Sequence, residues 1–272
     1  MRVVGKGSRE IAEVLSNVPM LSELELLGWD FESVPWPELA SLQLKSLQIA
    51  FEKEDEVPSM VFQMASLEEL TLGSQFALHI PDRFDGLSDL KYLVINAKVV
   101  DPVPYSIQTC KDLETLDLRF PVMVSRLLPG MQKLLNLGIE AHYEESNAAA
   151  DFETIRQLPP LRDLYLYGTG SMRLWSVYRK WNQIRFLVLK NGDLRTMEVE
   201  GSLLTSIIAL TIDDCDMQQW PEWMRELQNL KQLTVEYNFG LGEPPAWVTA
   251  LPRLIYFDLY GNGFQNEDQY MI

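Results

Sequence analysis

Leu67-Glu68-Glu69-Leu70-Thr71-Leu72 carries leucine at its first, fourth and sixth positions, and this pattern decides the fold. Leu70 and Leu72 alternate with Thr71, as a strand with one buried face requires. The stretch is too short to be stable alone, so it must pair with strands supplied by other parts of the chain.

Those other parts are copies of the same pattern. Apolar-x-x-apolar-x-apolar begins at Leu21, Leu44, Leu67, Leu90, Leu113, Leu134, Leu161, Ile184, Ile207, Leu230 and Leu254. Most neighbouring copies are 23 residues apart; the last interval is one longer, and the two most irregular, across Leu134, nearly compensate one another. Every one of the three ladder positions in every copy is Leu, Ile, Val or Phe. With 47% apolar residues, chance would fill them all with a probability of about 10⁻¹¹ for a fixed register. About 23 residues suffice to leave a strand, return along the outside and start the next parallel strand. Stacked copies then bury one continuous apolar ladder, each coil touching its neighbours.

The return segments share a second pattern. Val57-Pro58, Ile80-Pro81, Val103-Pro104, Trp220-Pro221 and Pro244-Pro245 are each followed by apolar residues three to four positions on. Proline fixes φ and lacks an N–H, so it suits the start of a short helix, where that donor would have no partner.

With both patterns in place, the chain resembles the leucine-rich repeat family in its 23-residue class, Ile-Pro-x-x-Leu-x-x-Leu-x-x-Leu-x-x-Leu-x-Leu. The resemblance covers roughly residues 10–265. It implies an α/β fold: a curved, right-handed solenoid (a horseshoe) of about eleven coils, with a parallel sheet on the concave side and short helices on the convex side. It also implies recognition of other proteins by the concave strand face. One departure concerns the Asn that the family places three residues after the last ladder position. Asn238 and Asn262 match, and Cys215 and Thr169 are plausible substitutes. Elsewhere the slot holds Trp29, Glu52, Gln75, Lys98, Pro121, His142 and Gly192. The asparagine ladder is therefore expected to be interrupted over most of the array, with its backbone groups finding other partners. The first half is expected to be less regular than the last three coils.

The repeats make residues 1–272 a single domain, with residues 1–20 as a partial N-terminal coil, 21–264 as eleven repeats and 265–272 as a short tail. Ile11, Val14 and Leu15 read as a helix of the incomplete first coil, and Val3-Val4 as a fragment of strand. Such thin caps leave self-association open. Within the insertion at 141–160, residues 151–158 read as a helix with Phe152, Ile155 and Leu158 on one face. Trp175, Tyr178 and Trp181 read as core on the return side.

Composition narrows the function. The formal charge of −16 opposes nucleic acid and anionic membranes, whose phosphates an acidic chain cannot neutralise. No stretch has the ~18 apolar residues of a membrane span. Two cysteines, Cys110 and Cys215, about four coils apart, and no Asn-x-Ser/Thr sequon fit a reducing, cytoplasmic setting. His79 and His142 have no second ligand at metal spacing, and no nucleophile, metalloprotease or phosphate-loop motif occurs, so no catalytic residue, metal, cofactor or small-molecule substrate is expected. Six basic residues against one acid between Arg173 and Arg195 locally reverse the charge, read as a solvated basic surface.

Residues between the ladder positions must face outward. From the seventh coil onward these include Tyr165, Tyr167, Phe186, Lys190, Asp213, Glu236, Tyr237, Tyr256, Asp258 and Tyr260. Aromatics beside fixed charges are what protein interfaces enrich. The expectation is a non-enzymatic protein-recognition module of sensor or adaptor type, binding a protein partner there, with the acids favouring a basic one. Two alternatives remain at this point: an acidic inhibitor or immunity-type protein that masks a basic enzyme or toxin, and the substrate-recognition region of a larger enzyme.

Overall fold

The computed structural model describes residues 2–4, 18, 20–28, 34–142, 144, 146–168, 175, 178–196 and 200–263. The chain divides into two compact units, residues 1–122 with 126–134, and residues 123–125 with 135–272. The first unit contains β1 (Arg2–Val4), β2 (Glu23–Leu27), β3 (Ser46–Phe51), β4 (Asp55–Glu56), β5 (Glu69–Ser74), β6 (Ala77–His79), β7 (Tyr92–Asn96), β8 (Val99–Val100) and β9 (Thr115–Val122). The second contains β10 (Asn136–Ala141), β11 (Asp163–Tyr167), β12 (Phe186–Lys190), β13 (Ala209–Asp213), β14 (Gln232–Glu236) and β15 (Tyr256–Asp258). The strand read from Val3-Val4 is present as β1. Ile11, Val14, Leu15, Trp29, Thr169 and residues 265–272 lie outside the described residues.

In the first unit β1, β2, β3, β5, β7 and β9 pair side by side, all in parallel. In the second, β10 to β15 do the same in chain order. The register follows the sequence repeat without slippage: Leu47 opposes Leu70, which opposes Leu93, and Leu164 opposes Leu187, which opposes Leu210. A slip of one residue would turn every ladder leucine to solvent, so burial enforces this pairing. Of the ladder positions only Leu21 and Leu254, in the first and last copies, are not buried. Each fully buried leucine contributes about 1.5–3 kcal/mol relative to exposure.

The return segments form short helices where the prolines predict them: Ser59–Gln63 after Pro58, Tyr105–Thr109 after Pro104, Glu222–Glu226 after Pro221 and Ala246–Thr249 after Pro245. Their apolar residues Val61, Phe62, Ile107, Met224 and Val248 are buried. Adjacent returns pack tightly in the first unit, with Phe62 and Phe84 edge to face at 5.0 Å between centroids. A Cβ at Gly86 would lie 2.0 Å from the Phe62 carbonyl oxygen, so this contact requires glycine.

The strands end in two different ways. In the second unit Gly168, Asn191, Asp214, Tyr237 and Gly261 occupy the same position of successive repeats, and all have positive φ, between 50° and 75°. The left-handed residue turns the chain inward and points the next residue into the core. Cys215, Asn238 and Asn262 accordingly sit there, all buried. Asn238 Oδ1 accepts from the amides of Cys215 at 3.0 Å and Met217 at 3.3 Å, and Asn262 Oδ1 accepts from the Asn238 amide at 3.0 Å. The Cys215 thiol donates to the Leu189 carbonyl at 3.3 Å. The asparagine ladder is thus intact in the last coils.

From the second to the fourth coil the chain instead bends and enters a second short strand. Glu52, Gln75 and Lys98 then face solvent, and the backbone finds its partners in a second parallel sheet, β4–β6–β8. The expected irregularity is therefore an ordered alternative turn. Its apolar anchors, Leu78 and Val100, are buried.

The insertion helix runs over Ala148–Gln157, beginning three residues before and ending one before the stretch read from sequence. Ile155 and Leu158 are buried and Phe152 is half-buried. Asp151 is wholly buried and accepts from the Ser125 amide at 2.8 Å. Trp175, Tyr178 and Trp181 form a buried edge-to-face row, with centroids 5.2 and 5.8 Å apart. The Tyr178 hydroxyl donates to the Pro159 carbonyl and accepts from the Leu161 amide. No helix among the described residues is long and apolar enough to cross a membrane.

Candidate partner-binding face

Strand alternation and parallel register together place the outward residues of the second unit in columns. One column contains Asp163, Phe186, Ala209, Gln232 and Tyr256; the next contains Tyr165, Val188, Thr211, Thr234 and Asp258; the third contains Glu140, Tyr167, Lys190, Asp213 and Glu236. The sequence-derived set therefore converges on one face, and the turn residues Tyr237 and Tyr260 lie beside it, joined by the bond from the Tyr237 amide to the Tyr260 carbonyl.

Exposure separates these residues. Phe186, Tyr237, Tyr256 and Tyr260 are 41%, 42%, 44% and 55% exposed, large apolar side chains left in solvent by the fold. Tyr165 is half-buried. Tyr167 is a correction: expected on the exposed face, it retains only 8% exposure. Its strand position lies between Glu140 and Lys190, whose long side chains flank it on the same face. Burial raises the Glu140 carboxyl above its usual range, which marks this end of β10 and β11 as partly closed off from water.

The acids are arranged unevenly. Lys190 Nζ pairs with Asp213 Oδ2 at 2.7 Å. Asp258 accepts from the Tyr256 hydroxyl at 3.2 Å through Oδ2 and from the Tyr260 amide at 3.1 Å through Oδ1. Glu236 opposes Asp213 in register, and its carboxyl is raised by burial and then by the charges of Asp258 and Asp213, against a smaller opposing effect of Lys190. Tyr237 and Tyr260 meet edge to face, centroids 5.6 Å apart at 89°. The hydroxyl of Tyr256 is held protonated to higher pH by its bond to Asp258.

Of the six basic residues between Arg173 and Arg195, two are ion-paired and a third bonds a backbone carbonyl, while Arg173 lies outside the described residues. Lys190 pairs with Asp213, Arg195 pairs with Asp193 and Asp216, and Lys180 donates to the Leu158 carbonyl. His142, in an asparagine slot, is exposed and bonds Glu144 at 2.9 Å. Among the described residues no group of three or more His, Cys, Asp or Glu could hold a metal ion. Cys110 and Cys215 are both free and buried, and burial pushes their thiols up to about 11 and about 12.

Sequence reasoning missed Phe239 and Ile255, 75% and 65% exposed near the same end of the unit. Their signal was an apolar residue outside any ladder position. In the first unit the small residues Ala50 and Gly73 leave an open depression of 560 Å³ beside Phe76 and Asn96.

No family model matches the chain. Among curated proteins it is 30% identical over 142 residues to receptor-like protein 34 of Arabidopsis thaliana, which covers 48% of this chain and 15% of that protein. It is 26% identical over 202 residues to a human volume-regulated anion channel subunit, covering 72% and 22%. The chain spans between about an eighth and a quarter of the length of the relatives it matches. Among solved structures, a leucine-rich repeat protein of Leptospira interrogans superposes with a TM-score of 0.55 at 17% identity, covering 96% of this chain and 71% of that one. The leucine-rich repeat ectodomain of the Arabidopsis thaliana receptor kinase GASSHO1/SCHENGEN3 gives 0.53 at 20% identity, covering 94% and 31%. Repeat, register and solved neighbours agree that the chain has the leucine-rich repeat fold.

Proposed function

We propose that this chain is a non-enzymatic protein-recognition module and that the strand face of its second unit receives the partner. The observation that carries this reading is the row of exposed aromatics, Phe186, Tyr237, Tyr256 and Tyr260, interleaved with Asp163, Asp213, Glu236 and Asp258 on adjacent strands. Tyrosine buries a large area at small entropic cost, and neighbouring carboxylates give direction, the combination that concentrates binding energy at interfaces. Six strands about 4.8 Å apart offer a face of roughly 25 Å, enough for much of a standard interface. The GASSHO1/SCHENGEN3 ectodomain, of the same fold, was solved in complex with CASPARIAN STRIP INTEGRITY FACTOR 2, which supports recognition as a use of this architecture. A cytoplasmic setting is part of the proposal and fits the two free, buried thiols.

The experiment is affinity capture with two immobilised chains, the wild type and a Phe186→Ser/Tyr256→Ser/Tyr260→Ser variant whose melting curve is unchanged. The reading expects a protein retained by the wild type and lost from the variant. Equal retention by both would refute the strand face as the binding surface.

A further inference from the structure

We infer that the partner presents an arginine or lysine side chain, and that the end of the strand face formed by Glu236, Asp258, Tyr237 and Tyr260 receives it. The inference rests on the strand-face reading above and names the chemistry that face accepts.

Three observations on neighbouring strands converge. First, the carboxylates outnumber the cations that answer them. Lys190 is committed to Asp213 at 2.7 Å, and among the described residues no ion pair is made by Glu236 or Asp258. Second, the same end of the sheet is walled by exposed rings: Tyr237 and Tyr260 perpendicular to one another at 5.6 Å, and Tyr256 bonded to Asp258. An acidic patch without aromatics would hold any cation loosely through solvent. Ring faces beside carboxylates instead match a guanidinium, which stacks on one and forks onto the other. Third, Tyr237 holds φ +54°, a backbone state that costs a bulky residue energy which glycine or asparagine avoids. Its repeat equivalents are Gly168, Asn191, Asp214 and Gly261, so the turn itself does not call for an aromatic ring.

The titration of Glu236 agrees. Its carboxyl is raised by burial and by Asp258 and Asp213, with Lys190 opposing, so an additional positive charge would relieve an unfavourable field. A chain of net charge −16 would also steer a basic segment toward this face from a distance.

The test uses a fluorescein-labelled hexa-arginine peptide and its uncharged hexa-citrulline counterpart, titrated by anisotropy at low and physiological salt. Three chains are compared with the wild type: Glu236→Gln/Asp258→Asn, Tyr237→Asn, and Glu54→Gln/Glu56→Gln in the first unit, which removes the same charge elsewhere. The expected result is at least tenfold weaker hexa-arginine binding by the first variant and severalfold weaker binding by the second. The third should change by less than twofold, and citrulline should not bind. Equal losses from both acid pairs would overturn the inference, because net charge alone would then explain binding. Absence of hexa-arginine binding, or equal citrulline binding, would also overturn it. The strand-face reading fails separately: it falls if a captured partner ignores the Phe186→Ser/Tyr256→Ser/Tyr260→Ser variant.

Discussion

Replacing Asn238 by alanine should cost the second unit about 3 kcal/mol. The side chain is 1% exposed and serves four backbone groups. Its Oδ1 accepts from the Cys215 and Met217 amides, and its Nδ2 donates to the Glu236 carbonyl at 2.6 Å and the Ile212 carbonyl at 3.4 Å. The Glu236 carbonyl keeps a second partner, the Asp214 amide at 3.1 Å. The Ile212 contact is long. The loss therefore falls on the two amides, each stranded in a site closed to water, at about 1–3 kcal/mol apiece. The buried thiol of Cys215 and the turn that carries Tyr237 depend on the same anchor, so the effect should be local to β13 and β14. Urea unfolding followed by tryptophan fluorescence reads it; with a slope near 2 kcal/mol/M, the midpoint should fall by about 1.5 M. Asn229→Ala is the control, because its amide donates to the Thr205 carbonyl from a more open position, and it should cost no more than about 1 kcal/mol. If Asn238→Ala costs no more than Asn229→Ala, the asparagine ladder does not hold this unit together and the account of its turns is wrong.

Other consequences are narrower. Gly261 combines φ +75° with a Cβ position 2.8 Å from the Tyr237 ring, so Gly261→Ala should destabilise by about 1–3 kcal/mol; pairing it with Tyr237→Ala should recover the clash but not the backbone cost, and strict additivity in that cycle would refute the contact. The folded-state pKa of Glu236 lies above its unfolded value, so its carboxylate weighs against folding above that pKa and the penalty disappears as pH falls below about 4.5. Glu236→Gln should thus stabilise at pH 7 and be neutral at pH 4, and the reverse order in thermal melts would contradict this. Glu68 is the opposite case: Lys45 and Lys91, at 2.8 and 2.7 Å, lower it from 4.5 to about 2. Its contribution holds above pH 4.5 and fades as pH falls toward 2. Carbon-detected titration should show the low value in dilute buffer and a return toward 4.5 in high salt. Finally, with both thiols buried and pushed up to about 11 and 12, neither Cys110 nor Cys215 should react with a thiol reagent at pH 8 until the chain is unfolded; fast native reaction would contradict their burial.

The ladder was legible because a buried strand face tolerates only large apolar side chains, and Leu70, Leu93, Leu164 and Leu187 recur at the spacing of one coil. The return helices were legible because Pro58, Pro104, Pro221 and Pro245 mark where a helix starts without needing a donor. The second sheet of the first unit was not. Absence of Asn at Glu52, Gln75 and Lys98 shows only that the ladder is missing, and says nothing of which backbone groups take its place. Leu78 and Val100, too few to show a period, were its only trace. Columns of outward residues followed directly from strand alternation, so Phe186, Tyr256, Asp258 and Glu236 fell where expected. Tyr167 did not stay exposed, because exposure depends on the side chains of neighbouring strands, here Glu140 and Lys190, which a single repeat does not specify. Tyr237 was legible as an outward residue, but its left-handed φ was not, because the turn sets it and a tyrosine in that place gives no local signal.

Hydroxyl-radical footprinting of the chain, free and bound to the protein it captures, tests the central claim most directly, because it reports side-chain exposure one residue at a time. The account predicts that oxidation of Phe186, Tyr237, Tyr256 and Tyr260 falls severalfold in the complex while Trp223 and Trp247, on the return side, are unchanged. Protection of Trp223 and Trp247 with the four strand-face aromatics still oxidised would contradict it.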